Sequence, residues 1–66
     1  MHIVLNGTPH PLPADTTIAN LLATLGFAER RVAVEVNREI IPRGRHAGHV
    51  LRDGDTVELV HAMGGG

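Results

Sequence analysis

In Thr17-Ile18-Ala19-Asn20-Leu21-Leu22-Ala23-Thr24-Leu25-Gly26, the large apolar residues fall at 18, 21, 22 and 25. That i, i+3, i+4, i+7 spacing gathers four side chains onto one stripe of an α-helix. Asp15, Thr16 and Thr17 supply oxygens able to cap the free N–H groups of a first turn. Gly26 stands where a left-handed residue satisfies the last carbonyls. The spacing predicts one helix over about 17–25, and its apolar face needs a sheet to cover it.

The segments on either side supply that sheet. Met1 to Leu5 is a branched apolar run ending at Asn6-Gly7, a strong two-residue hairpin signal because both residues tolerate positive φ. The returning strand, about 8–12, carries Pro9 and Pro11 and is followed by Pro13, so it belongs at an edge where missing N–H donors do no harm. After the helix, Val32, Val34 and Val36 alternate with Ala33 and Glu35, the period of a strand with one buried face. Asn37-Arg38 turns into the short strand Glu39-Ile40-Ile41, which Pro42 ends. Residues 43–49 are polar and Gly-punctuated, suiting a loop or a single helical turn. Leu51 to Asp55 reads as a turn before a last strand over 56–63, with Val57 and Leu59 on one side and Thr56, Glu58 and Val60 on the other.

A hairpin, a helix and three further strands, with the first and last strands able to pair in parallel across the long connection, describe an α+β domain of β-grasp (ubiquitin-like) type. It has a mixed sheet of four to five strands packed on one main α-helix. Met1, Ile3, Leu5, Val32, Val34, Val36, Val57 and Leu59 are expected to face Ile18, Leu21, Leu22 and Leu25.

With 66 residues, this is a single domain whose core is too small to house a deep substrate pocket as well. The chain has no Cys, which excludes disulfides, thiolate metal sites and a thiol nucleophile, and makes the cytoplasm the default. A net charge of −1 and one aromatic residue, Phe27, argue against nucleic acid as a partner. Met1 to Gly7 lacks the basic start and long apolar stretch of a signal peptide. No apolar run approaches the roughly 20 residues that span a bilayer, so neither export nor a membrane is expected.

No set of nucleophile, base and orienting group converges in the sequence: Ser, Tyr and Lys are absent as well as Cys, and there is no glycine-rich phosphate loop. Of the five histidines, His46 and His49 are three apart and would share a face of a helical turn, but a metal site wants further ligands. No metal is expected, and the histidines are expected to face solvent. His2 and His61 are expected near one another if the first and last strands pair.

The end of the chain is where chemistry remains. Gly64-Gly65-Gly66 contributes nothing to packing, is mobile, and reaches about 10 Å past the last strand, at roughly 3.3 to 3.6 Å per residue. Without Cβ atoms it can thread a narrow channel and deliver a terminal carboxylate to another protein's active site. A carboxylate is a poor acyl donor because oxide would be its leaving group. Adenylation turns Gly66 into a mixed anhydride that a sulfur nucleophile can displace, and ATP is then used by a partner, with no cofactor bound by this chain.

These residues resemble the ThiS family, the sulfur carrier proteins of thiamine thiazole biosynthesis, over essentially the whole chain. The resemblance is carried by Asn6-Gly7, the helix start Thr17-Ile18-Ala19-Asn20-Leu21-Leu22, Val32 to Asn37 followed by Ile41-Pro42-Arg43, the turn Asp53-Gly54-Asp55, and Val57 to His61 leading into Gly64-Gly65-Gly66. It implies a protein co-substrate rather than an enzyme. Gly66 would be adenylated by a ThiF-like activating enzyme, converted to a thiocarboxylate by a sulfur-delivery enzyme, and used by a ThiG-like thiazole synthase. Family members commonly carry a bulky residue at the position of Ala62. Gly64, Gly65, Met63, Ala62, Val60 and Val4 are the expected partner-binding residues. Val4 and Val60 face outward on neighbouring strands and join Ala62 and Met63 in an exposed apolar patch, with Arg43 and Arg45 as possible flanking charges. A carrier for molybdopterin or another sulfur pathway, and a non-catalytic β-grasp interaction module, are the alternatives.

Overall fold

In the computed structural model, which describes residues 1–28 and 31–61, the apolar stripe becomes helix α1 (Ile18–Thr24). Its first-turn donors are all taken. Asn20 N donates to the Thr17 hydroxyl at 3.1 Å and Leu21 N to Thr17 O at 2.9 Å. Ile18 N and Ala19 N donate to His49 O and His46 O, at 3.1 and 3.0 Å, so a distant loop completes the cap. At the other end Gly26 has φ +84°, Gly26 N donates to Ala23 O and Phe27 N to Leu22 O. This is the Schellman arrangement, and it turns Phe27 back against the core.

The strands are β1 (His2–Leu5), β2 (Thr8–Pro11), β3 (Val32–Val36), β4 (Glu39–Ile41) and β5 (Thr56–His61), in the order β2-β1-β5-β3-β4. β1 and β5 are parallel; the other neighbours are antiparallel. β2 is an edge, as its prolines require, with Pro9 and Pro11 opposite Val4 and His2. Arg43–Arg45 form one 3₁₀ turn within the polar 43–49 segment. β5 is described through His61; the strand residues expected at Ala62 and Met63, and the tail Gly64 to Gly66, lie outside the described residues. None of the described helices is long and apolar enough to cross a membrane.

Both hairpins turn through two residues at positive φ, the mark of a type I′ connection: Asn6 (48°) with Gly7 (84°), and Asn37 (52°) with Arg38 (69°). Gly7 takes this conformation freely, whereas Arg38 carries a Cβ into it at a cost of about 1–2 kcal/mol. Arg38→Gly is therefore expected to raise the unfolding free energy by about 0.5–1 kcal/mol in urea titration, net of the entropy glycine loses on folding.

The core gathers Ile3, Val34, Val36 and Val57 from the sheet against Ile18, Leu21 and Leu22 of α1, as the periodicity predicts. Met1, Leu5, Leu25, Val32 and Leu59 join it only half-buried, because they sit at its rim. Leu12, Ile41 and Leu51 complete it. Leu51 is 2% exposed although it stands in a segment that reads as a turn. Leu51 N donates to Thr16 O at 2.8 Å, and Thr17 bridges Val50, tying this segment to the start of α1.

Candidate functional site

β5 is the strand from which the glycine tail departs, and the sheet holds it at both ends. At its start, Asn37 N donates to Thr56 O at 2.7 Å while the Asn37 Oδ1 accepts from Thr56 N at 3.0 Å. Asn37 Nδ2 donates to Asp55 Oδ1 at 3.0 Å, and Asp55 Oδ2 accepts from Arg52 N at 2.9 Å. Along one side β3 pairs with it from Val36↔Val57 to Val32↔His61. Along the other, β1 pairs at Val4↔Thr56 and Leu5↔Val57, with Val4 N on Asp55 O and Asn6 N on Val57 O, both 2.9 Å.

β1 ends at Leu5, yet the support continues one step further. The Asn6 Oδ1 accepts from Leu59 N at 2.8 Å, so the residue that begins the first turn also extends the β1–β5 ladder with its side chain. Beyond Leu59, β3 alone among the described elements runs beside β5, up to His61. The residues after His61 thus start from a strand with a fixed origin and direction. Chemically, such an anchor can present the backbone that follows it to a second protein.

Of the side chains expected to surround the tail, Val60 is 58% exposed on β5, opposite exposed Ala33 on β3. Val4 lies on the neighbouring strand, as expected, but is half-buried and level with Thr56. That is four residues, roughly 13 Å, back along β5 from Val60 at about 3.3 Å per residue, so the two are not side by side. Arg43 and Arg45 separate: Arg43 lines a shallow depression of about 510 Å³ with Arg31, Val32, Ala33 and Val60, whereas Arg45 lines another with Gly44, Gly48 and His49. Arg31 was not among the residues that spacing or charge singled out, because nothing in the sequence indicates that the start of β3 meets the end of β5.

The histidines need two corrections. His46 does not face solvent: it is 7% exposed, and the Ile41 carbonyl accepts from its Nε2 at 2.9 Å, which assigns the proton to that nitrogen. Its own carbonyl caps α1, so its place is structural. His2 is not level with His61 either. His2 O accepts from Gly54 N at 2.7 Å and His2 N donates to Asp53 Oδ1, before β5 begins, while His61 pairs with Val32 at the far end. Among the described residues no group of three or more His, Asp or Glu side chains is placed to hold a metal ion.

Comparison with known proteins identifies this architecture. The model of the ThiS family matches residues 3–66. A thiazole synthase of Magnetococcus marinus is 48% identical over all 66 residues, of which this chain spans about a fifth (20%) of the length. The sulfur carrier protein ThiS of Bacillus subtilis is 43% identical over 94% of this chain and 96% of its own. The crystal structure of the thiamine biosynthesis protein ThiS from Geobacter metallireducens superposes with a TM-score of 0.84 at 33% identity, each chain covered in full. The five-stranded mixed sheet on one helix is accordingly a ubiquitin-like β-grasp, and the chain belongs to the ThiS family of sulfur carrier proteins.

Proposed function

We propose that the chain is the sulfur carrier of thiamine thiazole synthesis, acting as a protein co-substrate through the carboxylate of Gly66. The observation that carries this reading is the family match running to residue 66, where three glycines follow the central strand of a β-grasp sheet. An adenylating enzyme of ThiF type supplies ATP. The Gly66 carboxylate oxygen attacks the α-phosphorus, pyrophosphate leaves, and the acyl adenylate forms. Sulfide-level sulfur (HS⁻) handed over by a delivery enzyme then attacks the acyl carbon, the bond to the AMP oxygen breaks as the C–S bond forms, and loss of the sulfur's proton leaves a thiocarboxylate. Thiazole synthase consumes that sulfur. The cycle belongs in the cytoplasm, where ATP is at hand.

The roles within the chain follow from chemistry. Gly64 and Gly65 fill a channel with backbone alone, and Gly66 has no side chain to crowd attack at its carbonyl. Ala62, Met63 and Val60 meet the mouth of that channel. A thiazole synthase containing a segment similar to all 66 residues supports pairing this carrier with such an enzyme rather than with a molybdopterin pathway.

The test is genetic. In a bacterium whose own ThiS is deleted, the chain is expected to restore growth without added thiazole, and the chain lacking Gly64 to Gly66 is not. Restoration by the truncated chain would refute the carboxylate as the reactive group.

A further inference from the structure

Both hairpins open on an asparagine at positive φ, Asn6 at 48° and Asn37 at 52°, and both send the side-chain oxygen to the backbone of β5. Asn37 holds the start of the strand on the β3 side, and Asn6 holds Leu59 on the β1 side. The bond at Leu59 has the form of a ladder bond. In a parallel pair, a residue donates its N–H to one residue of the neighbouring strand and accepts at its C=O from the residue two further along. Asn6 N donates to Val57 O at 2.9 Å, and Leu59 N donates at 2.8 Å not to the Asn6 carbonyl but to its Oδ1. The side-chain amide therefore stands in for a main-chain carbonyl that the turn has carried out of the ladder. Among the described residues it is the last hold on β5 from that side, two residues before His61.

We infer that Asn6 is a positioning residue for sulfur loading: its Oδ1 sets the point from which the glycine tail swings. The inference rests on the carrier reading and adds to it the residue that aims the reactive end. A two-residue turn at positive φ is served by glycine at its first position as well as by asparagine, so the turn alone does not require this side chain. What glycine lacks is the acceptor. Without it, the last residue of β5 held from both sides moves from Leu59 back to Val57, about 7 Å further from the tail at roughly 3.3 Å per residue. The released residues are held by β3 alone and must be ordered again when the tail enters an enzyme. Fixing the backbone of one residue costs about five- to thirtyfold in affinity. Both asparagines are exposed, so water takes over either bond when the side chain is removed, and the core does not depend on them.

The experiment takes the full chain and the adenylating enzyme encoded by the same genome, with ATP and a sulfur donor, and measures initial rates of pyrophosphate release over a range of chain concentrations. It compares the parent with Asn6→Gly, which keeps the turn and loses the acceptor, and Asn6→Asp, which keeps both. Asn37→Gly is the control, because it loses two side-chain bonds at the start of β5, away from the tail. Amide exchange at Leu59, relative to Leu21 in α1, reports the hold directly. In Asn6→Gly the Leu59 amide is expected to exchange about two- to tenfold faster, the net worth of one hydrogen bond. KM for the chain rises about five- to thirtyfold with kcat unchanged. Asn6→Asp restores both. Asn37→Gly lowers the melting temperature more than Asn6→Gly does, yet leaves KM as in the parent, which separates aiming from stability. An Asn6→Gly chain with the parent's KM, or a KM raised equally by Asn37→Gly, overturns the inference while the carrier reading stands. So does an Asn6→Asp chain that protects Leu59 and still has the raised KM. A parent that releases no pyrophosphate overturns the carrier reading and the inference with it.

Discussion

A chain ending at Gly65 is expected to fold as the parent does and to accept no sulfur. Among the described residues the core lies within residues 3–57 and its half-buried rim extends to Leu59, and Gly66 has no side chain to lose. The circular dichroism spectrum and melting temperature should be unchanged. The carboxylate, however, retreats by about 3.3 to 3.6 Å, the reach of one residue. Misplacing a reacting atom by even about 1 Å costs on the order of a hundredfold in rate, so a shift of this size abolishes adenylation within the time of any assay. Adding one residue after Gly66 fails for the same geometric reason and also brings a side chain into a channel shaped for glycine. Intact-mass analysis of both variants after incubation with the adenylating enzyme, ATP and a sulfur donor checks this. Thiocarboxylate formation on Gly65 would show that the length of the tail is not what matters.

Leu21→Ala is the complementary case, in which the tail is untouched and its support is damaged. Leu21 is fully buried at the centre of the stripe that holds α1 to the sheet. Truncating such a leucine costs about 3 kcal/mol, from lost transfer energy and the cavity left behind. A domain of this size has only roughly 3 to 10 kcal/mol of stability in all, by the usual per-residue figure. The variant is therefore expected to unfold at a much lower urea concentration, and the ratio of unfolded to folded chain to rise on the order of a hundredfold. Its capacity to accept sulfur should fall with the folded fraction, although Gly64, Gly65 and Gly66 are all present. Full capacity in an unfolded Leu21→Ala chain would mean that a free glycine peptide suffices and that the β-grasp domain contributes nothing to recognition.

The two variants divide the molecule as its sequence does. The elements with strong local signals are legible from the residues: Asn6-Gly7 at positive φ, the leucine stripe of α1, the valine alternation of β3, and the Gly26 terminus. Each depends on contacts within a few residues, where periodicity and turn chemistry determine the outcome. Leu51 and His46 are not legible, because they are single residues in polar surroundings whose burial comes from the loop 42–51 folding over the start of α1. The same limit applies to the site. That β5 bears the tail, and that Val60 is exposed, follows from alternation along one strand. That Val4 sits well back from Val60, that Arg31 and Arg43 line one depression with Val60, and that Glu35 faces Glu58 depend on register between strands distant in sequence. One residue of slippage would change every one of these pairings, and no local signal sets it.

The carrier's function rests on the chemistry at one atom. The 66-residue chain is incubated with the adenylating enzyme, ATP and a sulfur donor, its mass is taken intact, and the modified residue is located by fragmentation. An ATP-dependent species heavier by the exchange of one oxygen for sulfur, confined to Gly66, is expected. A mass that does not change with ATP, or a change located anywhere else in the chain, would contradict it.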